Sequence, residues 1–153
     1  MRFGKKGCLV MRVMIDTNVL LDVLIHRDAF FDDAKAVLKL CEDRVIQGFV
    51  SASAITDIFY ITRKALSSID DTYRVIDSLL NIVRVLTVTN EDVLQAFQNR
   101  AKDFEDCLLA VCAKSNQCDG IVTRNQKDFL NFGVALYTPV ELLRMFAEQK
   151  KQG

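Results

Sequence analysis

The feature of this sequence that most constrains its fold is the alternation of short apolar runs with longer segments of helical spacing. Apolar runs occupy positions 13–15, 49–51, 83–88, 121–123 and 134–137. Runs of this length and composition are typical of strands, whereas the segments between them repeat apolar residues three or four positions apart, as amphipathic helices do. Regular alternation of strand and helix favours a parallel sheet covered on both faces. We therefore predict a single-domain, three-layer α/β/α fold with a mostly parallel central sheet.

The length and composition of the chain fit one globular domain. Its 153 residues are 50% hydrophobic and 26% charged, which allows a substantial core and is unlike a disordered protein. The pattern places the domain at residues 11–147, followed by a polar tail at 148–153. Residues 1–10 are interpreted as a dispensable extension or an alternative start. The sequence has no signal peptide and no apolar run of about 18 residues, which predicts a cytoplasmic protein without a membrane segment.

The charged and metal-binding residue types narrow the possible chemistry. Twenty basic and twenty acidic side chains cancel, so any contact with a nucleic acid must come from a local basic patch. The five cysteines form no C-x-x-C pair and the chain has a single histidine, which leaves no plausible ligand set for zinc. A metal site in this chain would therefore depend on oxygen ligands.

Aspartates occur where a carboxylate can serve either structure or chemistry. Asp16 directly follows the first predicted strand, and in parallel sheets ligands bind at the carboxyl ends of the strands. Asp57, Asp103 and Asp106 lie in the first turns of predicted helices, and Asp128 follows the strand at 121–123. Each also has an ordinary explanation as a turn residue, a helix cap, a carboxylate favoured by the helix dipole or a solvated polar residue.

Four short motifs strengthen the chemical interpretation because they occur together and in order. They are DTNVLLD (16–22), SAITDIFY (53–60), DFEDCLLA (103–110) and IVTRNQKDF (121–129). In this combination the chain resembles the PIN-domain nucleases, and most closely the bacterial VapC-like toxin ribonucleases. The resemblance spans residues 11 to about 146 and makes the expected fold a PIN-like one.

The resemblance implies a site in which carboxylates converge above the sheet and bind Mg²⁺ or Mn²⁺ to hydrolyse RNA. The implied metal ligands are Asp16, Asp57, Asp106 and Asp128, the first three being the implied catalytic residues. The implied supporting residues are Asn18, Asp103, Thr123 and Asn125. Hard divalent cations choose oxygen ligands, so this chemistry requires no nucleophilic serine, cysteine or histidine. The chain departs from the family at Asp57, where glutamate is commoner.

Further expectations concern the partners of the protein. The basic residues nearest the motifs, Arg124 and Lys127, are predicted to contact RNA phosphates. The resemblance also implies a small antitoxin protein that covers the acidic groove, and a homodimer.

Two alternatives to this function stay open at the level of sequence. An aspartyl-phosphate phosphatase also places an aspartate after its first strand, but it would need a second acid where this chain has Asn18. A non-catalytic or housekeeping PIN-fold protein that binds or processes RNA is the stronger alternative, because a fold does not fix a function.

Overall fold

The computed structural model describes residues 10–152, so the extension predicted at 1–10 lies outside the described residues except for its last position. Five strands are present in this part of the chain: β1 (Met11–Ile15), β2 (Ile46–Ser51), β3 (Arg84–Leu86), β4 (Gly120–Val122) and β5 (Leu136–Tyr137). The α-helices here are α1 (Thr17–Leu24), α2 (Phe31–Glu42), α3 (Ile55–Leu66), α4 (Ile69–Leu80), α5 (Asn90–Asn99), α6 (Phe104–Ser115) and α7 (Pro139–Gln152). Short 3-10 helices occur at Ala52–Ala54 and Gln126–Phe129.

The strands form one sheet in the order β3-β2-β1-β4-β5, and every neighbouring pair is parallel. The chain builds the sheet outward from β1 through β2 to β3, and then returns to place β4 on the other side of β1. This reversal makes the carboxyl ends of β1 and β4 the topological switch point, where open α/β sheets bind ligands.

Successive residues of a strand face opposite sides of the sheet, and this alternation builds the two cores. Val13 and Ile15 join a core formed with α1, α2, α3, α4 and α7. Met14 joins a second core formed with α6, and a smaller cluster lies between α5 and α6. Helices therefore cover both faces, which confirms the predicted three-layer α/β/α architecture.

Helix α6 is the most deeply buried of the helices around the sheet, as its apolar sequence predicts. All seven residues from Cys107 to Ala113 are buried. Its first turn, by contrast, is acidic and emerges at the carboxyl edge of the sheet. The helix thus anchors a cluster of carboxylates on a rigid core element.

Two boundaries differ from the sequence prediction. The strand predicted at 49–51 begins earlier, at Ile46, so Gly48 lies inside β2. A Cβ atom at Gly48 would come within 2.6 Å of the Cys41 sulfur on α2, so glycine permits close packing of this helix on the sheet. The polar tail predicted at 148–153 is helical as far as Gln152, because α7 continues through it.

None of the helices within residues 10–152 is both long enough and apolar enough to span a membrane.

Candidate active site

The candidate site lies at the carboxyl ends of β1 and β4, where the strand order reverses. Asp16 is the residue after β1, and its backbone N–H donates a hydrogen bond of 2.9 Å to the carbonyl of Val122 at the end of β4. Thr123 is the residue after β4. The two strand ends therefore bring Asp16 and Thr123 together, although 107 positions separate them.

The carboxylate of Asp16 is fixed on both of its oxygens. Oδ1 accepts from the backbone N–H of Thr17 at 2.8 Å, and Oδ2 accepts from the Thr123 hydroxyl at 2.8 Å. Only 7% of Asp16 is exposed, and this burial raises the pKa of its carboxyl, while the two hydrogen bonds oppose the rise. Asp16 also caps α1.

Thr123 connects the site to the loop after β4. Its hydroxyl donates to Asp16 and accepts from the backbone N–H of Asn125 at 3.0 Å, and the residue is fully buried. The predicted supporting residues Thr123 and Asn125 thus adjoin Asp16. Asn125 takes part through its backbone, while its side chain is on an exposed residue.

Asp103 and Asp106 enter the site at the start of α6. Asp103 is the N-cap, and its Oδ1 accepts from the backbone N–H of Asp106 at 3.0 Å. Desolvation of the half-buried Asp106 raises its pKa to about 7, aided by the negative charges of Asp103, Asp16 and Asp128. A hydrogen bond with the Asp103 side chain raises the pKa of Asp106 further, because this bond favours the protonated form.

The pKa of Asp106 is raised although a helix N-terminus normally favours a negative charge. Burial is the largest cause of this rise, and the nearby negative charges add to it.

Asp57 and Asp128 are exposed, and their negative charges act on other carboxylates of the site. Asp57 lies in the first turn of α3. Desolvation is the main cause that raises the pKa of Glu105, and the negative charges of Asp57, Asp103 and Asp16 raise it further. Asp128 lies in the 3-10 helix after β4, and its charge raises the pKa of both Asp16 and Asp106.

Glu105 was not among the predicted site residues. It stands between two aspartates in an acidic helix start, where a solvated carboxylate is the ordinary expectation. Its electrostatic interactions with Asp57 on α3 and with Asp16 after β1 show that it shares the site. We use the term acid cluster for the following six residues: Asp16, Asp57, Asp103, Glu105, Asp106 and Asp128.

The acid cluster has the ligand type that a hard divalent cation prefers, but its side chains lie too far apart to hold one as they stand. Its donors are all oxygens, and the buried Oδ1 of Asn18, in the first turn of α1, has no hydrogen-bond partner. Within the described part of the chain, however, no three Asp, Glu, His or Cys side chains are grouped so that they could hold a metal ion. Binding would therefore require the carboxylates to move closer together, with the cation offsetting their repulsion.

The two basic residues predicted to contact phosphate have different surroundings. Arg124 donates to Asp22 through Nε at 2.7 Å and through one terminal nitrogen at 3.2 Å, and its guanidinium stacks 3.8 Å from the ring centre of Phe30. Asp22 is fully buried and also accepts from Arg27 at 3.3 Å. Lys127, by contrast, is exposed. The principal contacts of Arg124 are thus with other side chains of this protein.

Asp22 is a second residue that sequence reasoning missed. It lies in α1 within a run of apolar residues, and its two arginine partners come from the loop after α1 and the loop after β4. The ion pair with Arg124 fastens the loop that carries Thr123 to α1, directly beside Asp16. This ion pair therefore fixes the position of the loop after β4 relative to α1.

The comparisons agree with this fold. Residues 12–127 match the family model of the PIN domain, and the chain belongs to that family. No curated protein is matched by the sequence.

Two solved structures share the fold at low sequence identity. VapBC2 from Rickettsia felis, in a crystal structure bound to a DNA fragment from its promoter, superposes with a TM-score of 0.64 and 17% identity, covering 84% of this chain and 98% of that one. VapC20 from Mycobacterium tuberculosis, a toxin that cleaves the sarcin-ricin loop, superposes with a TM-score of 0.61 and 16% identity, covering 80% of this chain and 96% of that one.

Proposed function

We propose that this protein is a Mg²⁺- or Mn²⁺-dependent endoribonuclease and the toxin of a toxin-antitoxin pair. The observation that carries the proposal is the acid cluster at the switch point of a PIN-family sheet, where burial, aided by repulsion from other carboxylates, raises the pKa of Asp106 to about 7. Partly buried carboxylates that repel one another are costly unless a cation neutralises them. The likeness in fold to VapC20, a toxin that cleaves the sarcin-ricin loop, supports RNA as the substrate.

The proposed ligands are Asp16, Asp57, Asp106 and Asp128, with Asn18, Asp103, Thr123 and Asn125 in support. When bound, the cation supplies Lewis acidity at the phosphate and lowers the pKa of a water molecule. Thr123 holds the carboxylate of Asp16 in one orientation, and Asp103 fixes the backbone of Asp106. Asp106 must lose its proton to act as a ligand, so metal binding should strengthen as the pH rises through about 7.

The proposal includes partners and location. A small antitoxin would bind over the acid cluster, where it could meet the negative charge with basic side chains. We also propose that the protein forms a homodimer and is located in the cytoplasm. The likeness in fold to VapBC2 supports a toxin-antitoxin assembly.

Cleavage of single-stranded RNA by the purified protein tests the proposed function. We expect cleavage with Mg²⁺ or Mn²⁺, none with chelator, and no rescue by Zn²⁺ alone, because the ligand set contains only oxygens. The Asp16→Asn variant, purified in the same way, controls for contaminating nuclease. Cleavage that resists chelator, or that persists in Asp16→Asn, would end the metal proposal. RNA binding without cleavage would favour the non-catalytic alternative.

Substitution of Asp57 tests whether the second acid reaches the cation. Asp57→Glu adds one methylene, which restores the side-chain length commoner in the family, so we expect cleavage to survive or rise, whereas Asp57→Ala should reduce it. Initial cleavage rates at saturating Mg²⁺ measure both effects. Equal losses in the two variants would show that the shorter acid is required by this site's geometry. Wild-type rates in both would remove Asp57 from the ligands.

A further inference from the structure

A cleft of about 990 Å³ opens directly beside the acid cluster. Helix α6 forms one wall, and the segment from Lys127 to Gly133 contributes the other. Asp103 and Asp128 line this cleft, and both influence Asp106 electrostatically. The cleft and the acid cluster therefore share an edge, and a ligand that extends beyond the cluster on this side would enter the cleft.

Three lysines give the cleft a concentration of positive charge. Lys102 precedes α6, Lys114 lies in its last turn, and Lys127 lies in the 3-10 helix after β4. They are half of the six lysines between residues 10 and 149. None of them forms an ion pair with a described carboxylate, and Lys114 donates only a long hydrogen bond of 3.4 Å to the carbonyl of Phe132.

The remaining lining suits the other parts of a nucleotide. It includes amide side chains and apolar residues, among them Leu130, which is 66% exposed, and Phe132, which is partly buried against the core. Apolar and aromatic side chains beside a basic groove are typical of surfaces on which single-stranded bases stack. From Asp103 to Lys114 the wall formed by α6 is about 16 Å long at 1.5 Å per residue, which is more than one nucleotide can fill.

We infer that this surface, the lysine cleft, binds the sugar-phosphate backbone of an RNA strand on one side of the phosphate that lies at the acid cluster. The inference rests on the proposed function for its ligand. It places the strand along α6, because residues of this helix line the cleft together with Lys102 and Lys127. Single-stranded RNA is the favoured class, since the lining can contact bases as well as phosphates.

A matched pair of triple variants tests the inference. The cleft variant carries Lys102→Gln, Lys114→Gln and Lys127→Gln. The control variant carries Lys35→Gln, Lys39→Gln and Lys64→Gln, on helices α2 and α3 that pack on the opposite face of the sheet. Both variants lose three positive charges, so net charge cannot explain a difference between them.

The measurement is binding of a short fluorescein-labelled single-stranded RNA, followed by fluorescence anisotropy over a series of KCl concentrations. An Asp106→Asn background in every protein prevents cleavage during the titration, and circular dichroism checks that each variant is folded. We expect the cleft variant to reduce the salt slope by about 2, since each lost phosphate contact contributes roughly 0.7 for a single strand. At about 0.1 M salt this corresponds to affinity roughly 100-fold weaker. The control variant should bind like its parent.

Equal effects of the cleft and control variants on affinity and slope would overturn the inference. Its failure is distinguishable from failure of the proposed function, because cleavage is measured separately on the wild-type protein, without Asp106→Asn. A wild type that cleaves RNA, with a cleft variant of unchanged affinity, would leave the nuclease and remove the lysine cleft. A wild type that does not cleave, with cleft-dependent binding, would leave the cleft as an RNA site of a non-catalytic protein.

Discussion

Asp106→Asn should reduce RNA cleavage by more than about 100-fold, while the metal-free protein becomes more stable. Asparagine keeps the shape of the side chain and one oxygen but removes the negative charge that a cation requires. Loss of an outer partner of a metal site costs roughly 10- to 100-fold, so loss of a direct ligand should exceed that range. Initial cleavage rates at equal Mg²⁺ concentration measure this effect.

The stability gain follows from the pKa of Asp106, which is raised in the folded state to about 7. The folded protein therefore binds this proton more tightly than the unfolded chain, whose aspartates titrate near 4. Without metal, the free energy of unfolding should fall as the pH rises from about 4 to 7 and then stay low. Because Asp106 is partly solvated, we expect the gain in Asp106→Asn above that window to be only about 1 kcal/mol.

Urea unfolding at several pH values, with and without Mg²⁺, separates this account from simple helix capping. The wild type should be stabilised by Mg²⁺ more than Asp106→Asn, because binding to the folded state adds stability according to affinity. A carboxylate stabilised by the helix dipole predicts instead a loss of roughly 0.3–1 kcal/mol in the variant, whatever the Mg²⁺ concentration. That result, with full cleavage, would remove Asp106 from the site.

Arg124→Gln should destabilise the protein by about 3 kcal/mol, because it removes the main partner of a fully buried carboxylate. Asp22 would retain only Arg27, whose single contact is 3.3 Å long. Asp22→Asn should cost less, since it removes the buried charge itself and leaves arginines that are 23% and 36% exposed and can reach water. The double variant should therefore recover part of the loss in Arg124→Gln.

Lys127→Gln is the matched control for Arg124→Gln, because it removes a neighbouring positive charge that has no buried partner. It should change stability by less than about 0.5 kcal/mol. Urea midpoints measure all four variants, and cleavage rates report whether the loop with Thr123 has moved. If Arg124→Gln and Lys127→Gln have equal, small effects on stability but both weaken RNA binding, then Arg124 contacts phosphate as the sequence suggested, and its ion pair with Asp22 contributes little.

Local sequence patterns predicted much of the fold because they report local physics. The apolar body of α6 predicts its deep burial, which the structure shows, and Asp103, for which capping was one of the explanations left open, is its N-cap. The position of Asp16 after a β-branched run predicted a side chain at the carboxyl edge of a parallel sheet, which is where it lies. Periodicity and strand ends are properties of neighbouring residues, so one sequence is enough to identify them.

The missed features depend on contacts between distant parts of the chain. In the sequence, Asp22 resembles an ordinary polar residue of a helix, and only the fold shows that it pairs with Arg124, 102 residues away. Gly48 resembles a helix terminator, but its role is to admit Cys41 against the sheet. In the same way, the sequence does not show that Arg124 pairs with Asp22, and its contact with RNA phosphate stays a prediction.

Binding of Mn²⁺, followed by the paramagnetic resonance signal of the free ion, tests the central claim most directly, because it detects the cation at the acid cluster without requiring an RNA substrate. At a pH above 7, where Asp106 is ionised, the wild type should deplete the free-ion signal and excess Mg²⁺ should restore it. Asp106→Asn and Asp16→Asn should deplete it far less, whereas Lys127→Gln should behave like the wild type. Equal depletion by the wild type and both aspartate variants, or none by a wild type that cleaves RNA, would contradict the account.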